Sequence, residues 1–217
     1  MKLKELHESI GKSVADLGVK YMGGNFNCRD HQLTSLKGSP EEIDGAFECS
    51  DNELTSLAGA PRKVGGNFLC VSNKLTSLEG APRKINGTFS CTSNKLTSLK
   101  GGPDEVSGIF YCINNKLTSL GGAPKIVGRD FKCNQNHLTS LEGIHLKIQI
   151  IDGIAVFNDN PIKSHVLGLL LIDELQKVYL DHKQVQEIIN KYLAGSRDVM
   201  DCQNELMDAG LDEYAQL

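Results

Sequence analysis

The sequence predicts an α/β repeat solenoid, in which each turn of the chain adds one short strand to a parallel β-sheet. One observation is a period of 21 residues that recurs over most of the chain without an insertion. The other is a helical spacing of apolar residues before and after the repeats. Two apolar columns carry the period: Cys28, Cys49, Cys70, Cys91, Cys112 and Cys133, and Phe26, Phe47, Phe68, Phe89, Phe110 and Phe131.

The strand of each unit is predicted from this Phe-x-Cys pattern. Side chains two residues apart in a strand point to the same face, so Phe and Cys face the core and the residue between them faces outward. An asparagine follows each cysteine after two residues, where the strand must bend away. Its amide is expected to pair with backbone groups of the turn that would otherwise be buried without a partner. These residues are Asn52, Asn73, Asn94, Asn115 and Asn136, while His31 takes the place in the first unit.

The opposite side of each unit is predicted to be an extended turn. A proline fixes the backbone there, and a nearby glycine such as Gly80 permits a tight corner. The prolines are Pro40, Pro61, Pro82, Pro103 and Pro124. An apolar residue such as Val64 or Ile85 then returns to the core. Because one unit cannot close a core alone, the stack depends on its neighbours and needs a cover at each end.

The unit, F-x-C-x-x-N-x-L followed by x-x-L, is similar to the leucine-rich-repeat signature L-x-L-x-x-N-x-L, with Phe and Cys in the first two apolar sites. Its L-T-S-L step resembles the short bacterial class of these repeats. The resemblance covers residues 23–143. It implies a parallel sheet on a concave face and polyproline or turn segments on a convex face.

The segments outside the repeats are predicted to be helical caps. Leu3, Leu6, Ile10, Val14 and Leu17 share one helical face, which predicts an amphipathic helix over residues 2–18. We therefore divide the chain into an N-terminal cap (1–22), six regular repeats with a degenerate last turn (23–163) and an acidic helical segment (164–217).

Within the acidic segment, a helix is expected from Ser164 through the apolar run Leu169 to Ile172, lying over the open end of the solenoid. Two more helices are expected, over Lys183 to Ala194 and Arg197 to Ala209. The last stretch, DVMDCQNELMDAGLDEYAQL, resembles the C-terminal ends of uncharacterised proteins of tailed bacteriophages.

Charge and composition disfavour two classes of partner. The formal net charge is -4, and residues 164–217 hold 4 of the 23 basic and 10 of the 27 acidic side chains, so a dedicated nucleic-acid binder is not expected. No run approaches the length that spans a membrane, and the N-terminus lacks the pattern of a signal peptide. The expected location is the cytoplasm, which would be the host cytoplasm for a phage protein.

Cysteine chemistry is not predicted. Successive cysteines of the column would lie about 4.8 Å apart and point in parallel into the core, which suits neither tetrahedral zinc nor a relaxed disulfide. We expect reduced, buried thiols and no metal or other cofactor. Cys202 offers an alternative, because bacterial ubiquitin ligases join such repeats to a catalytic cysteine domain. The segment after the repeats is far shorter than that domain, and the adjacent Asp201 would raise the thiol pKa.

The candidate site is the set of side chains that alternate with Phe and Cys on the concave face. These positions vary among the repeats while the core positions do not, and several are apolar. The partner-binding candidates are Leu69, Val71, Ser90, Thr92, Ile109, Tyr111, Ile113 and Lys132. The sequence predicts a non-enzymatic module that binds a protein there, and the phage resemblance makes an inhibitor of a host or defence protein a natural role. A structural homo-oligomer subunit is a further alternative.

Overall fold

The structure, a computed structural model, describes residues 11–18 and 20–217 and is a parallel β-solenoid. Its strands are β1 (Lys12–Ser13), β2 (Phe26–Asn27), β3 (Leu33–Ser35), β4 (Glu42–Ile43), β5 (Phe47–Glu48), β6 (Lys63–Val64), β7 (Phe68–Leu69), β8 (Lys84–Ile85), β9 (Phe89–Ser90), β10 (Glu105–Val106), β11 (Phe110–Tyr111), β12 (Ile126–Val127), β13 (Phe131–Lys132), β14 (Ile150–Val156) and β15 (Asp173–Tyr179). The helices are α1 (Ile144–Lys147), α2 (Lys183–Leu193) and α3 (Val199–Asp208), with 3-10 turns at Val14–Leu17 and Leu167–Leu171.

Each regular turn contributes two short strands, where the sequence predicted one. The Phe strands form one parallel ladder from β2 to β13, and the strands that begin with a charged or apolar residue before Ile or Val form a second, from β4 to β12. β14 pairs with both, since Ile150 lies opposite Ile126 and Ala155 lies opposite Phe131. The two ladders are therefore halves of one sheet, with a bend between them. Gly65 lies in that bend, where a Cβ atom would come within 2.1 Å of the carbonyl oxygen of Asp44.

The predicted core columns are confirmed. The cysteines of the ladder are 0% exposed, and the phenylalanines are at most 4% exposed. Their rings form a stack in which neighbouring centroids lie between 5.2 Å (Phe47 and Phe68) and 5.9 Å (Phe26 and Phe47) apart. Phe157 extends the stack at 5.9 Å from Phe131. Burial of these aromatic side chains is a large apolar contribution to stability.

The asparagine ladder is also confirmed, and it joins consecutive turns. The Asn94 amide nitrogen donates to the carbonyl oxygens of Cys91 at 3.1 Å and of Cys70, one turn earlier, at 3.0 Å. Its side-chain oxygen accepts from the backbone N–H of Leu75 at 2.9 Å. The residue before each ladder asparagine is left-handed, as Ser93 is with φ 57°. One side chain therefore pairs backbone groups of two turns in the interior.

We predict that Asn94→Ala lowers the free energy of unfolding by about 3 kcal/mol, because it leaves several buried backbone groups without a partner. Urea unfolding followed by circular dichroism measures the change. Lys95→Ala is the matched control, because Lys95 is the exposed next residue and its loss should change stability by less than about 0.5 kcal/mol. Equal stability of the two variants would contradict the role of the ladder.

The N-terminal cap differs from the predicted helix. Residues 1–10 of that helix lie outside the described residues. Lys12–Ser13 is a strand parallel to β3, and only Val14–Leu17 turns, as a 3-10 helix. Gly11 has a left-handed φ of 77°, which a continuous α-helix does not contain, so a helix through residues 11–18 is wrong. Val14 nevertheless packs into the core with 3% of its surface exposed.

The C-terminal segment is partly helical. The two last predicted helices are confirmed as α2 and α3, with ends that differ by one or two residues. The helix expected from Ser164 is wrong: a 3-10 turn at Leu167–Leu171 leads into β15, which pairs in parallel with β14. Strand pairing wins here because β14 offers an unpaired edge, while Leu175 and Val178 can enter the core. A bulge with Glu174 at φ 61° adjusts the register.

Side chains from α2 and from the loop between α2 and α3 cover the outer edge of β15. The Asn190 side-chain oxygen accepts from the N–H of Val178 at 2.7 Å, and its nitrogen donates to the Val178 carbonyl oxygen at 2.8 Å. Gln186 accepts from the N–H of Leu180 at 2.9 Å. The Arg197 guanidinium donates to the carbonyl oxygens of Ile172, at 2.7 Å, and Leu175. These groups take the place of a further strand and close the sheet at this end.

We predict that Asn190→Ala lowers the free energy of unfolding by about 2 kcal/mol, because both backbone groups of Val178 lose their partner. Gln184→Ala is the control, since Gln184 is exposed on the same helix. Asparagine is the poorer helix former of the two, so helix propensity alone would favour Asn190→Ala, and a lower stability of that variant must come from the lost hydrogen bonds. Urea unfolding compares the two variants. If Asn190→Ala were as stable as the control, the amide would not be needed at this edge.

Candidate protein-binding face of the sheet

The candidate site lies on the outward side of the Phe strands, which we call the Phe-strand face. Most of the residues predicted for it are half-buried in the surface, as expected for side chains standing side by side on a sheet. These are Leu69, Val71, Thr92, Ile109, Tyr111, Ile113 and Lys132. Ser90 differs, because it is only 6% exposed and its hydroxyl donates to the Thr92 hydroxyl at 3.3 Å. Ser90 therefore offers little contact area to a partner.

Strand register places these side chains in ranks across the sheet. Leu69, Ser90, Tyr111 and Lys132 are direct neighbours on four consecutive strands. The Lys132 ammonium lies 5.5 Å from the centroid of the Tyr111 ring and 3.3 Å from the Asp130 carboxylate. A cation over a ring is held by the ring quadrupole, so the two side chains fix each other. The centre of the face is thus an ordered tyrosine–lysine pair flanked by Ile109 and Ile113.

The face continues onto β14 and β15, which was not predicted from the sequence. Val156 is the neighbour of Lys132, and Tyr179 is the neighbour of Val156. Two residues earlier on each strand, at the preceding outward position, Ile154 lies beside Lys177. The Lys177 ammonium lies 5.0 Å from the centroid of the Tyr179 ring and forms a second tyrosine–lysine pair. The C-terminal segment therefore covers the end of the core and also supplies part of the outward face.

A signal for this continuation is present in the sequence. The stretch from Ile150 to Asn160 aligns without a gap on the stretch from Ile126 to Asn136, with Ala155 in the Phe column and Phe157 in the Cys column. Asn160 continues the asparagine ladder, because its nitrogen donates to the Cys133 carbonyl oxygen at 2.9 Å. The alignment shifts by 24 residues instead of 21, which agrees with the degenerate last turn predicted from the sequence.

The second ladder has a different surface. Its outward side chains form exposed ion pairs between neighbouring turns, such as Lys63 with Glu42 at 3.3 Å and Lys84 with Glu105 at 2.7 Å. Arg83 pairs with Asp104 at 2.8 Å in the same region. Exposed pairs of this kind are solvated and contribute little to stability. Ile126 on β12, which is 37% exposed, is an apolar exception, so the apolar and aromatic surface lies mainly on the Phe-strand half of the sheet.

The cysteines are buried thiols, and their burial disfavours the reactive thiolate form. Cys202 is 0% exposed, and burial, followed by the charge of Glu205, raises the pKa of its thiol to about 12, against a smaller opposing effect of Lys191. Burial likewise raises the pKa of Cys28 to about 12 and that of Cys70 well above its ordinary range. In the described part of the chain, no cluster of His, Cys, Asp or Glu could hold a metal ion.

We predict that all seven cysteines resist labelling by a thiol reagent at pH 8 in the folded protein, because they are buried and the thiolate is the reactive form. They should label fully after unfolding in guanidinium chloride. Thr97→Cys is the positive control, since Thr97 is an exposed residue of the same repeats. Rapid labelling of Cys202 in the folded wild-type protein would overturn this description.

Comparison of the chain with models of protein families, with curated proteins and with solved structures found no match. Among the described residues, no helix is long and apolar enough to cross a membrane.

Proposed function

We propose that this protein is a non-enzymatic binding module that holds a partner protein on the Phe-strand face. The observation that carries the proposal is the rank of outward side chains that runs from Leu69 through Tyr111 and Val156 to Tyr179, in which apolar and aromatic residues are separated by Ser90 and Lys132. Packing requires none of these outward residues to be apolar, whereas the matching surface of the second ladder is charged on all its strands except β12, which presents Ile126. Apolar side chains grouped on one outward face are typical of interaction sites.

The composition of the face supports a protein as the partner. Tyrosine combines a large apolar area with a polar hydroxyl and few rotatable bonds, so it is enriched among the residues that dominate binding energy. Tyr111 and Tyr179 lie in one rank, with Lys132 and Val156 between them. A partner with an apolar ridge can bury this rank and leave the flanking Asp130 and Asn134 at a polar rim.

The rigidity of the scaffold supports binding as well. The Phe stack and the asparagine ladder fix the strands from which the outward side chains project, and the cation–π pairs restrain both tyrosines. Little conformational entropy is then lost when a partner binds. The resemblance to leucine-rich repeats and to phage proteins favours a host protein as this partner, and inhibition of a host or defence protein in the host cytoplasm as the role.

The two alternatives have less support. A cysteine-dependent enzyme would use Cys202, whose burial and raised pKa oppose its action as a nucleophile. A structural homo-oligomer would need a surface for a second copy. The homo-oligomer alternative predicts a stable oligomer, which light scattering of the purified protein would detect.

We predict that Tyr111→Ala with Ile113→Ala weakens capture of the partner by about 30-fold, the effect of losing a central contact of an interface. Tyr179→Ala should also weaken capture, because Tyr179 belongs to the same rank. The measurement is affinity capture from a bacterial host lysate with quantitative mass spectrometry, followed by binding assays with the captured protein.

The control is Lys63→Ala with Lys84→Ala on the charged half of the sheet, which should leave capture unchanged. Urea unfolding verifies that all variants remain folded. Capture of the same protein by wild type and the Tyr111 variant with equal affinity would refute the Phe-strand face as the binding surface. Loss with the Tyr111 variant alone would limit the surface to the regular repeats.

A further inference from the structure

A second surface, independent of the Phe-strand face, lies on the outside of α3. The helix buries Cys202 and Leu206 against the core. Its outward side carries Met200, which is 65% exposed, and Met207, which is 49% exposed. Residues seven apart in a helix lie on the same side, about 10 Å apart along the axis. The two methionines therefore lie on one side of the helix as two separate apolar contacts, with the exposed Asn204 between them.

An acidic stripe runs beside the methionines on the same helix. Asp201, Glu205 and Asp208 follow one another at helical spacing, and each aspartate is the residue next to one of the methionines. Glu205 is held by Lys191 at 2.5 Å and by the Tyr192 hydroxyl at 2.8 Å. Within residues 11–18 and 20–217, no basic side chain pairs with Asp201 or Asp208. Both exposed carboxylates are therefore free to meet a cation.

The charge of the surrounding segment reinforces this stripe. Residues 164–217 contain 10 acidic and only 4 basic side chains. Three of the four basic groups are already engaged: Lys183 and Lys191 with glutamates, and Arg197 with backbone carbonyls. The potential around α3 is thus negative, which attracts and orients a positively charged partner.

We propose that the outside of α3 docks a basic amphipathic helix of another protein. Its apolar side would cover Met200 and Met207, and its Lys or Arg side chains would reach Asp201 and Asp208. Methionine suits such contacts, because its flexible and polarisable side chain adapts to differently shaped apolar surfaces. Apolar residues seven apart, flanked by basic ones, define the complementary segment.

A membrane surface fits this helix less well than a protein does. Helices that lie on membranes present Lys and Arg beside their apolar face, because the lipid head groups are anionic. Here the residues beside the methionines are aspartates, which such head groups would repel. Charge complementarity thus selects a basic polypeptide as the occupant.

The test uses a fluorescein-labelled amphipathic Leu–Lys peptide of about 15 residues, the length at which isolated helices begin to be stable. A peptide of the same composition, with its leucines scattered around the helix, is the control for charge alone. Fluorescence anisotropy with the full chain should show at least about tenfold tighter binding of the amphipathic peptide. Met200→Ser with Met207→Ser should weaken its binding by about tenfold.

Asp201→Asn with Asp208→Asn should weaken binding of the amphipathic peptide by a similar factor at low salt and by less at high salt. Glu79→Gln with Glu142→Gln removes the same charge from exposed positions of the repeats and should leave binding unchanged. Since all these side chains are exposed, urea unfolding should confirm that each variant is as stable as wild type.

Several outcomes would overturn the proposal. Equal binding of the scattered peptide, or equal weakening by the Glu79 and Glu142 changes, would show attraction by net charge alone. If sedimentation showed that the wild-type protein is a dimer and that the methionine variant is a monomer, that result would identify a second copy as the occupant. Binding to vesicles of phosphatidylglycerol that depends on Met200 and Met207 would identify a membrane. The Tyr111 and Ile113 variant must retain peptide binding, which separates this surface from the Phe-strand face.

Discussion

The asparagine ladder is the constraint on which the rest of this structure depends. Each amide pairs backbone groups of its own turn and of the turn before, so a shift of one turn against the next would leave polar groups buried without partners. The ladder therefore holds all turns in one register. The stacking of the phenylalanines and the narrow passage at Gly65 result from that register, because both require equivalent residues to lie directly beside each other.

A fixed register separates positions that can vary from positions that cannot. An inward residue such as Phe89 touches its equivalents in the turns on both sides, so a change of size would disturb three turns at once. An outward residue such as Tyr111 has only surface neighbours. Functional differences can therefore accumulate on the outward side without cost to the core. This is why the Phe-strand face, although built from repeats, has no repeated chemistry.

Features that depend on periodicity within one segment could be predicted from the sequence. The core columns, the ladder asparagines and helices α2 and α3 could all be assigned, because each rests on such local spacing. The strand β15 could not, since its formation depends on the free edge of β14 and on the side chains of Asn190 and Arg197, which are distant in sequence. For the same reason Tyr179 could not be assigned to the Phe-strand face from the sequence. Burial of Ser90 was also not predictable, because it results from its position between the larger side chains Leu69 and Tyr111 on neighbouring strands.

The C-terminal segment closes the last edge of the sheet and also exposes a surface that the repeats do not have. A parallel sheet needs its last edge covered, and here α2 and the loop between α2 and α3 provide amide and guanidinium groups in place of a strand. Those helices must bury one side to remain in place, which leaves their other side to solvent. Cys202 and Leu206 hold α3 against the core, so Met200 and Met207 on its opposite side are not required for closure. They are the apolar part of the surface on which we propose that a basic helix docks.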